Sequence, residues 1–156
     1  MNEPGINLGL GRSRTLRVTD LVLDYTGVLS LDGALLPGVA ERLSALAESV
    51  RITVLTADTF GKAREQLNGL PLNVSIVQTG WDKAEFVKRL GTKVVAIGNG
   101  RNDIPMMKLA ALRIAIIGPE GASAETLLVA DVIVRDVLDA LDLITNPLRL
   151  KATLRD

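Results

Sequence analysis

Apolar residues come in short bursts along this chain, and polar or glycine-rich stretches divide them. Residues 6–10 and 15–18 alternate apolar and polar side chains around Gly11-Arg12-Ser13-Arg14, which predicts a β-hairpin at a sheet edge. The run 21–23 is wholly apolar, as expected of a strand covered on both faces. Further strands are predicted at 52–55, 74–77, 94–97 and 114–117, with a last edge strand at 132–134.

Between these strands the apolar spacing turns helical. Pro37-Gly38 opens a helix to about Ala47, with Val39, Leu43 and Leu46 on one face. Residues 61–67 form a short helix ended by Gly69 and Pro71. Asp82 caps a helix running to Leu90, and Gly91 stops it. Helices over about 103–111 and 123–128 follow, then an amphipathic one over 137–144. Pro147 interrupts that pattern, and 148–154 predicts one or two final turns.

Strands alternating with helices imply right-handed βαβ units and a mainly parallel sheet. The expected fold is therefore α/β: a three-layer α/β/α Rossmann-like domain with an N-terminal β-hairpin. Its 156 residues suit one domain, with a core over about 18–135, the hairpin at 5–18 and a helical segment over 136–156. Met106 and Met107 read as core filler.

Composition narrows the chemistry. Hydrophobic residues make up 47% of the chain and aromatics only 3%, which favours aliphatic layers. Lys plus Arg equals Asp plus Glu, so no nucleic-acid footprint or basic membrane patch is expected. The cluster Arg12, Arg14 and Arg17 reads as a solvated hairpin end. Cys and His are both absent, which rules out disulfides, thiolate nucleophiles and imidazole metal ligands. Any metal must then be held by oxygen, which points to Mg²⁺ or a similar hard cation. No signal-peptide pattern and no membrane-length apolar run is visible, so a cytoplasmic location is the expectation.

In an open parallel sheet, ligands bind beyond the carboxyl ends of the strands. The residues there are Asp24-Tyr25-Thr26-Gly27, then Thr56-Ala57-Asp58, then Lys83 at a helix start, then Gly98-Asn99-Gly100-Arg101-Asn102-Asp103. These are carboxylates, hydroxyls, an ammonium and glycines converging on one edge. Phosphoryl transfer through a carboxylate needs such a set. The carboxylate attacks phosphorus, and a cation and an ammonium neutralise the equatorial oxygens. A hydroxyl and backbone N–H groups hold those oxygens, and glycine lets the backbone approach. Plainer roles compete at several positions: Thr56 as an ordinary strand residue, Lys83 as a solvated first-turn lysine, and Asp58 as a helix N-cap, the reading preferred for it.

The segments Leu-Asp-Tyr-Thr-Gly-Val-Leu at 23–29, Leu-Thr-Ala-Asp at 55–58, Lys83, and Gly-Asn-Gly-Arg-Asn-Asp at 98–103 together resemble the haloacid dehalogenase superfamily. Within it they are most similar to soluble relatives of the P-type ATPase phosphorylation domain. The resemblance runs from about residue 18 to 135. It implies a Mg²⁺-dependent phosphatase in which Asp24 forms an aspartyl-phosphate. Catalytic roles fall to Asp24, Thr26, Thr56 and Lys83. Gly27, Thr56, Ala57 and Lys83 would bind phosphate. Asp24, the Thr26 carbonyl, Asn99 and Asp103 would serve the metal, and Asn102 would support them.

Two positions depart from the family pattern. Thr26 stands where many of these phosphatases carry a second Asp as general acid and base, whose loss costs roughly 10²–10⁴ in rate. Asn99 stands where a metal-ligating Asp is usual, so cation affinity should be weaker. A catalytically weakened module that binds phosphate or a phosphoprotein is therefore the alternative, and a phospho-accepting receiver domain is a third. The motif gaps leave no room for a cap domain, and about thirty residues separate Asp24 from Thr56. An uncapped site suits a phosphorylated small molecule or a phosphoprotein. Capless relatives often form homo-oligomers, which is the expectation for this chain too.

Overall fold

The computed structural model describes residues 4–156. Its centre is a six-stranded parallel sheet. Among the described residues there are ten strands: β1 (Ile6–Gly11), β2 (Arg14–Val18), β3 (Asp20–Leu23), β4 (Ser30–Leu31), β5 (Ala34–Leu35), β6 (Arg51–Thr56), β7 (Asn73–Ile76), β8 (Val94–Gly98), β9 (Leu112–Ile116) and β10 (Val132–Val134). The central sheet has the order β10-β9-β8-β3-β6-β7. The first core strand, β3, thus lies in the middle, with Leu23 paired to Val54 on one side and to Ile97 on the other.

The α-helices among the described residues are α1 (Val39–Leu46), α2 (Ala63–Gln66), α3 (Gly80–Leu90), α4 (Ile104–Leu109), α5 (Ala124–Val129), α6 (Val137–Thr145) and α7 (Pro147–Leu154). The period-2 alternation of the strands decides which layer each helix joins. Leu21 and Leu23 face one side, where Ile52, Val54, Val95, Ile97, Ile114 and Ile116 join them under α1, α6 and α7. Val22 faces the other side, with Leu55, Val94, Ala96 and Ala115, against Val87 of α3 and Met106 and Met107 of α4. Both methionines are fully buried, as core filler should be. Three layers result, and the sheet is hidden on both faces.

Several local expectations change. The N-terminal hairpin is not an edge of the main sheet. It forms its own two-stranded sheet and lies against α7, with Leu8 buried in the core cluster below α6 and α7. Thr79, not Asp82, is the N-cap of α3. The Thr79 hydroxyl accepts from the Asp82 N–H, and the Asp82 carboxylate accepts from the Thr79 and Gln78 N–H groups. This reciprocal box fixes the first turn of α3. The helix expected over 103–111 is split. A 3-10 turn, Arg101–Asp103, leads into α4, which Ala110 ends, so β9 begins at Leu112. The helix expected over 61–67 is reduced to the single turn of α2.

The connections near the site are short. Between β3 and α1 lies only the two-rung hairpin β4–β5, and between β6 and β7 only α2. Neither holds a cap domain. The small hairpin is pinned by Tyr25, whose hydroxyl donates to the Gly33 carbonyl at 2.7 Å, while the Ser30 hydroxyl donates to the Tyr25 carbonyl at 3.1 Å.

Candidate active site

Asp24 stands one residue past β3. Its N–H donates to the Ile97 carbonyl of β8, so the chain continues the sheet for one more rung before turning away. Asp24 is 5% exposed as a whole residue. One oxygen, Oδ1, accepts from the Tyr25 N–H at 2.8 Å and lies 3.3 Å from Lys83 Nζ.

Lys83 comes from the first turn of α3 and is fully buried. The solvated-lysine reading therefore fails. An ammonium in a first helical turn faces the positive end of the helix dipole, and burial adds desolvation. Two carboxylates offset both effects. Lys83 Nζ donates to Asp103 Oδ1 at 2.8 Å and approaches Asp24 at 3.3 Å. Burial works against the ammonium, but Asp103 and Asp24 outweigh it, and the Lys83 pKa ends above its ordinary value. Burial acts on Asp24 in the opposite sense. With the nearby Asp103 charge it pushes the Asp24 carboxyl up to about 7, although Lys83 and the Tyr25 N–H pull it down.

Asp103 is fully buried, and both its oxygens are taken. Oδ1 holds Lys83, while Oδ2 accepts from the Asn99 and Gly100 N–H groups at 3.0 and 3.1 Å. The 3-10 turn brings the carboxylate back under its own loop. Gly98 makes this possible, because a Cβ there would stand 2.5 Å from Asp103 Cβ. Asp103 was expected to ligate metal. In the structure it braces Lys83 and shapes the 98–103 loop, and it is not among the residues that line the site cavity.

The other expected residues, Gly27 apart, meet at one place. Asp24, Thr26, Thr56, Ala57, Asn99 and Asn102 line a cavity of about 210 Å³, together with Thr59 and Glu120. Thr56 closes β6, and its hydroxyl accepts from the Asp58 N–H at 2.9 Å, which leaves its own proton for a ligand oxygen. Gly27 has φ 75°, and a Cβ there would run into the Asn99 side-chain amide, so only glycine fits. The Asn99 Nδ2 donates to the Gly121 carbonyl at 3.0 Å. That bond fixes which end of the amide is nitrogen, and Oδ1 remains as an acceptor. The Thr126 hydroxyl donates to the Gly100 carbonyl at 2.8 Å, and the Ser123 N–H to the Asn99 carbonyl at 2.8 Å, so the start of α5 supports the loop from behind.

Trp81 and Arg101 line a separate groove with Ile104, Pro105 and Leu109. The Asp58 carboxylate accepts from the Lys62 and Ala63 N–H groups and so caps the start of α2, although Lys62 and not Asp58 occupies the N-cap position. Sequence reasoning missed Glu120, Thr59, Ser123 and Thr126. Glu120 carried a usable signal, because it follows β9 closely and so lies at the same sheet edge as Asp24 and Asn99.

The donor set fits a hard divalent cation. Asp24 offers a carboxylate, Thr26 a main-chain carbonyl and Asn99 an amide oxygen, all oxygen ligands. Around them stand a buried ammonium, a hydroxyl and backbone groups, which suit the oxygens of a phosphoryl group.

Comparisons with known proteins agree with this fold. A family model described as haloacid dehalogenase-like hydrolase matches residues 47–139. An uncharacterized protein of Methanocaldococcus jannaschii is 55% identical over 64 residues, which cover 41% of this chain and 69% of that protein. Among solved structures, the 3-deoxy-D-manno-octulosonate 8-phosphate phosphatase of Moraxella catarrhalis, in complex with magnesium, phosphate and its sugar, superposes with a TM-score of 0.64 at 20% identity. The match covers 86% of this chain and 90% of that one. A substrate-bound phosphoserine phosphatase gives a TM-score of 0.67 at 15% identity, over 81% and 98%.

Proposed function

The chain belongs to the haloacid dehalogenase-like hydrolases, and from that premise we propose that it is a Mg²⁺-dependent phosphohydrolase working through an aspartyl-phosphate on Asp24. One observation carries the reading: a buried carboxylate just past the central strand lines an open polar cavity and has a buried ammonium 3.3 Å away. The phosphatases of similar fold act on phosphorylated small molecules, and an uncapped cavity of this size suits a phosphate ester whose organic part stays outside.

Asp24, Thr26 and Asn99 would hold the cation, which supplies charge neutralisation for the phosphoryl oxygens when bound. The remaining steps belong to the chain. Asp24 attacks phosphorus, the ester P–O bond breaks, and the alcohol departs with a proton taken from solvent. Lys83, Thr56 and the backbone at Gly27 and Ala57 hold the transferring group. Water then attacks the phosphorus of the aspartyl-phosphate, releasing inorganic phosphate and restoring the Asp24 carboxylate. Thr26 offers no carboxylate to protonate the leaving group or activate that water, so turnover is slow. Lys83, braced by Asp103, keeps its proton throughout and acts as a fixed charge.

The test is phosphate release from an aryl phosphate with Mg²⁺, comparing the wild type with Asp24→Asn. Release by the wild type and none by the variant is expected. Equal rates would end the mechanism. Thr26 and Asn99 also favour a second reading, a phosphate-binding module with little turnover. Tight retention of phosphate without hydrolysis by the wild type would select it.

A further inference from the structure

The metal site expected from the sequence has four donors but only two carboxylates, and the structure engages one of those two elsewhere. Asp103 is occupied by Lys83 and two backbone N–H groups. Asn99 is neutral, and so is the Thr26 carbonyl. That leaves Asp24, one of whose oxygens already accepts from Tyr25 and faces Lys83. A hard dication held by one carboxylate and neutral oxygens binds weakly, because its affinity follows ligand charge.

One other carboxylate lines the same cavity, that of Glu120. It sits in the turn Gly118-Pro119-Glu120-Gly121 after β9, which the Gly121 N–H closes on the Gly118 carbonyl at 2.9 Å. The turn is fastened to the site, since the Asn99 amide donates to Gly121. It also brings the Glu120 Cβ to 3.4 Å from where a Cβ on Gly27 would stand. The Glu120 backbone is thus set beside both Gly27 and Asn99, and Glu120 lines the same cavity as Asp24, Thr26 and Asn99, which would hold the cation. Other carboxylates of the chain have work elsewhere: Glu125 pairs with Arg101, Asp58 and Asp136 cap helices, and Asp82 completes the box of α3. The Glu120 carboxylate makes no hydrogen bond or ion pair with any described residue.

We infer that Glu120 is the second anionic ligand of the divalent cation at Asp24, supplying from the loop after β9 the charge that Asn99 lacks. The inference rests on the metal-dependent reading above. It explains how a site with an amide at position 99 can still hold a cation, and it relocates the second charge from the β8 loop to the β9 loop.

The test is calorimetric titration of the intact protein with Mg²⁺ alone, and with Mg²⁺ in the presence of orthovanadate. Glu120→Gln should weaken Mg²⁺ affinity roughly tenfold or more. Glu125→Gln, which removes an equal charge from the neighbouring helix, should leave it unchanged. Glu120 is exposed, so the metal-free melting temperature of Glu120→Gln should equal that of the wild type, which separates lost ligation from lost folding. Affinity of Glu120→Gln within twofold of the wild type would overturn the inference and leave the phosphohydrolase reading standing. An equal loss in Glu125→Gln would also overturn it, as a diffuse charge effect. Failure of the wild type to bind Mg²⁺ under either condition would overturn the metal-dependent reading and this inference together.

Discussion

Lys83 is held more closely by Asp103 than by Asp24: its Nζ lies 2.8 Å from Asp103 Oδ1 and 3.3 Å from Asp24 Oδ1. The shorter bond goes to the carboxylate that has no reacting role in the proposed mechanism. In that mechanism the ammonium would keep its place while the charge on Asp24 changes. It also makes Asp103 the structural keystone of the site. Asp103→Asn would put an amide where one oxygen holds Lys83 and the other takes two N–H donors, and no orientation of that amide satisfies both sides. A buried charge stripped of its partner costs about 3 kcal/mol or more. Chemical denaturation should show a loss of that order. A loss below about 1 kcal/mol would mean that Asp24 alone can hold the ammonium.

Asp24 has the opposite effect on stability. Its carboxyl is pushed from an ordinary 3.8 up to about 7, chiefly by burial. An acid whose folded pKa lies above its unfolded value binds its proton more tightly when folded. The resulting stabilisation is full below about pH 4 and disappears as pH rises through about 7. Asp24→Asn removes this dependence and leaves Lys83 its bond to Asp103. In metal-free protein the variant should match the wild type near pH 4 and melt several degrees higher at pH 8, a gain on the order of 2 kcal/mol. Thermal unfolding followed across that range checks it. A wild type as stable as the variant at pH 8 would show that Lys83 fully compensates the buried carboxylate.

Much of this site can be read in the sequence because strand ends are easy to locate. The apolar run before Asp24, the one before Thr56 and the one before Asn99 each stop where the polar residue begins, and parallel pairing brings all three to one edge. Lys83 was visible as a residue but not as a buried one, since helix periodicity does not tell how deep a first-turn lysine sits. The role of Asp103 was hidden because its partners depend on a 3-10 turn folding back onto Asn99 and Gly100, a shape no spacing rule encodes. The hairpin β4–β5 was missed because two-residue strands leave no periodicity. Its one signal was Asp32-Gly33, which takes φ 52° and 88° as a tight hairpin turn requires.

Gly27 offers a test of close packing at the site. Its φ of 75° and the nearby Asn99 amide leave no room for a methyl group. Gly27→Ala must either twist the Thr26–Gly27 backbone or push Asn99 off its bond to Gly121. Left-handed strain alone costs about 1 kcal/mol or more. Either adjustment moves a proposed ligand, so phosphate release should fall by at least about tenfold, while the fold survives. Circular dichroism and the aryl phosphate assay together check both parts. Unchanged turnover would mean that the Gly27 backbone lies outside the reacting centre.

Asn99→Asp tests how the amide and the cation share this position. The Asn99 Nδ2 donates to the Gly121 carbonyl at 3.0 Å. An aspartate would set a carboxylate oxygen against that carbonyl oxygen and lose the bond, so metal-free protein should be destabilised by about 1 kcal/mol or more. The same substitution adds charge where a hard cation would sit, so Mg²⁺ should restore more stability to the variant than to the wild type. Calorimetric scans with and without saturating Mg²⁺ should therefore show a lower starting melting temperature and a larger metal-induced rise. A variant that melts lower without metal and gains no more from Mg²⁺ than the wild type would place the cation away from residue 99. In that case the amide's work is to anchor the Gly121 turn and, through it, Glu120.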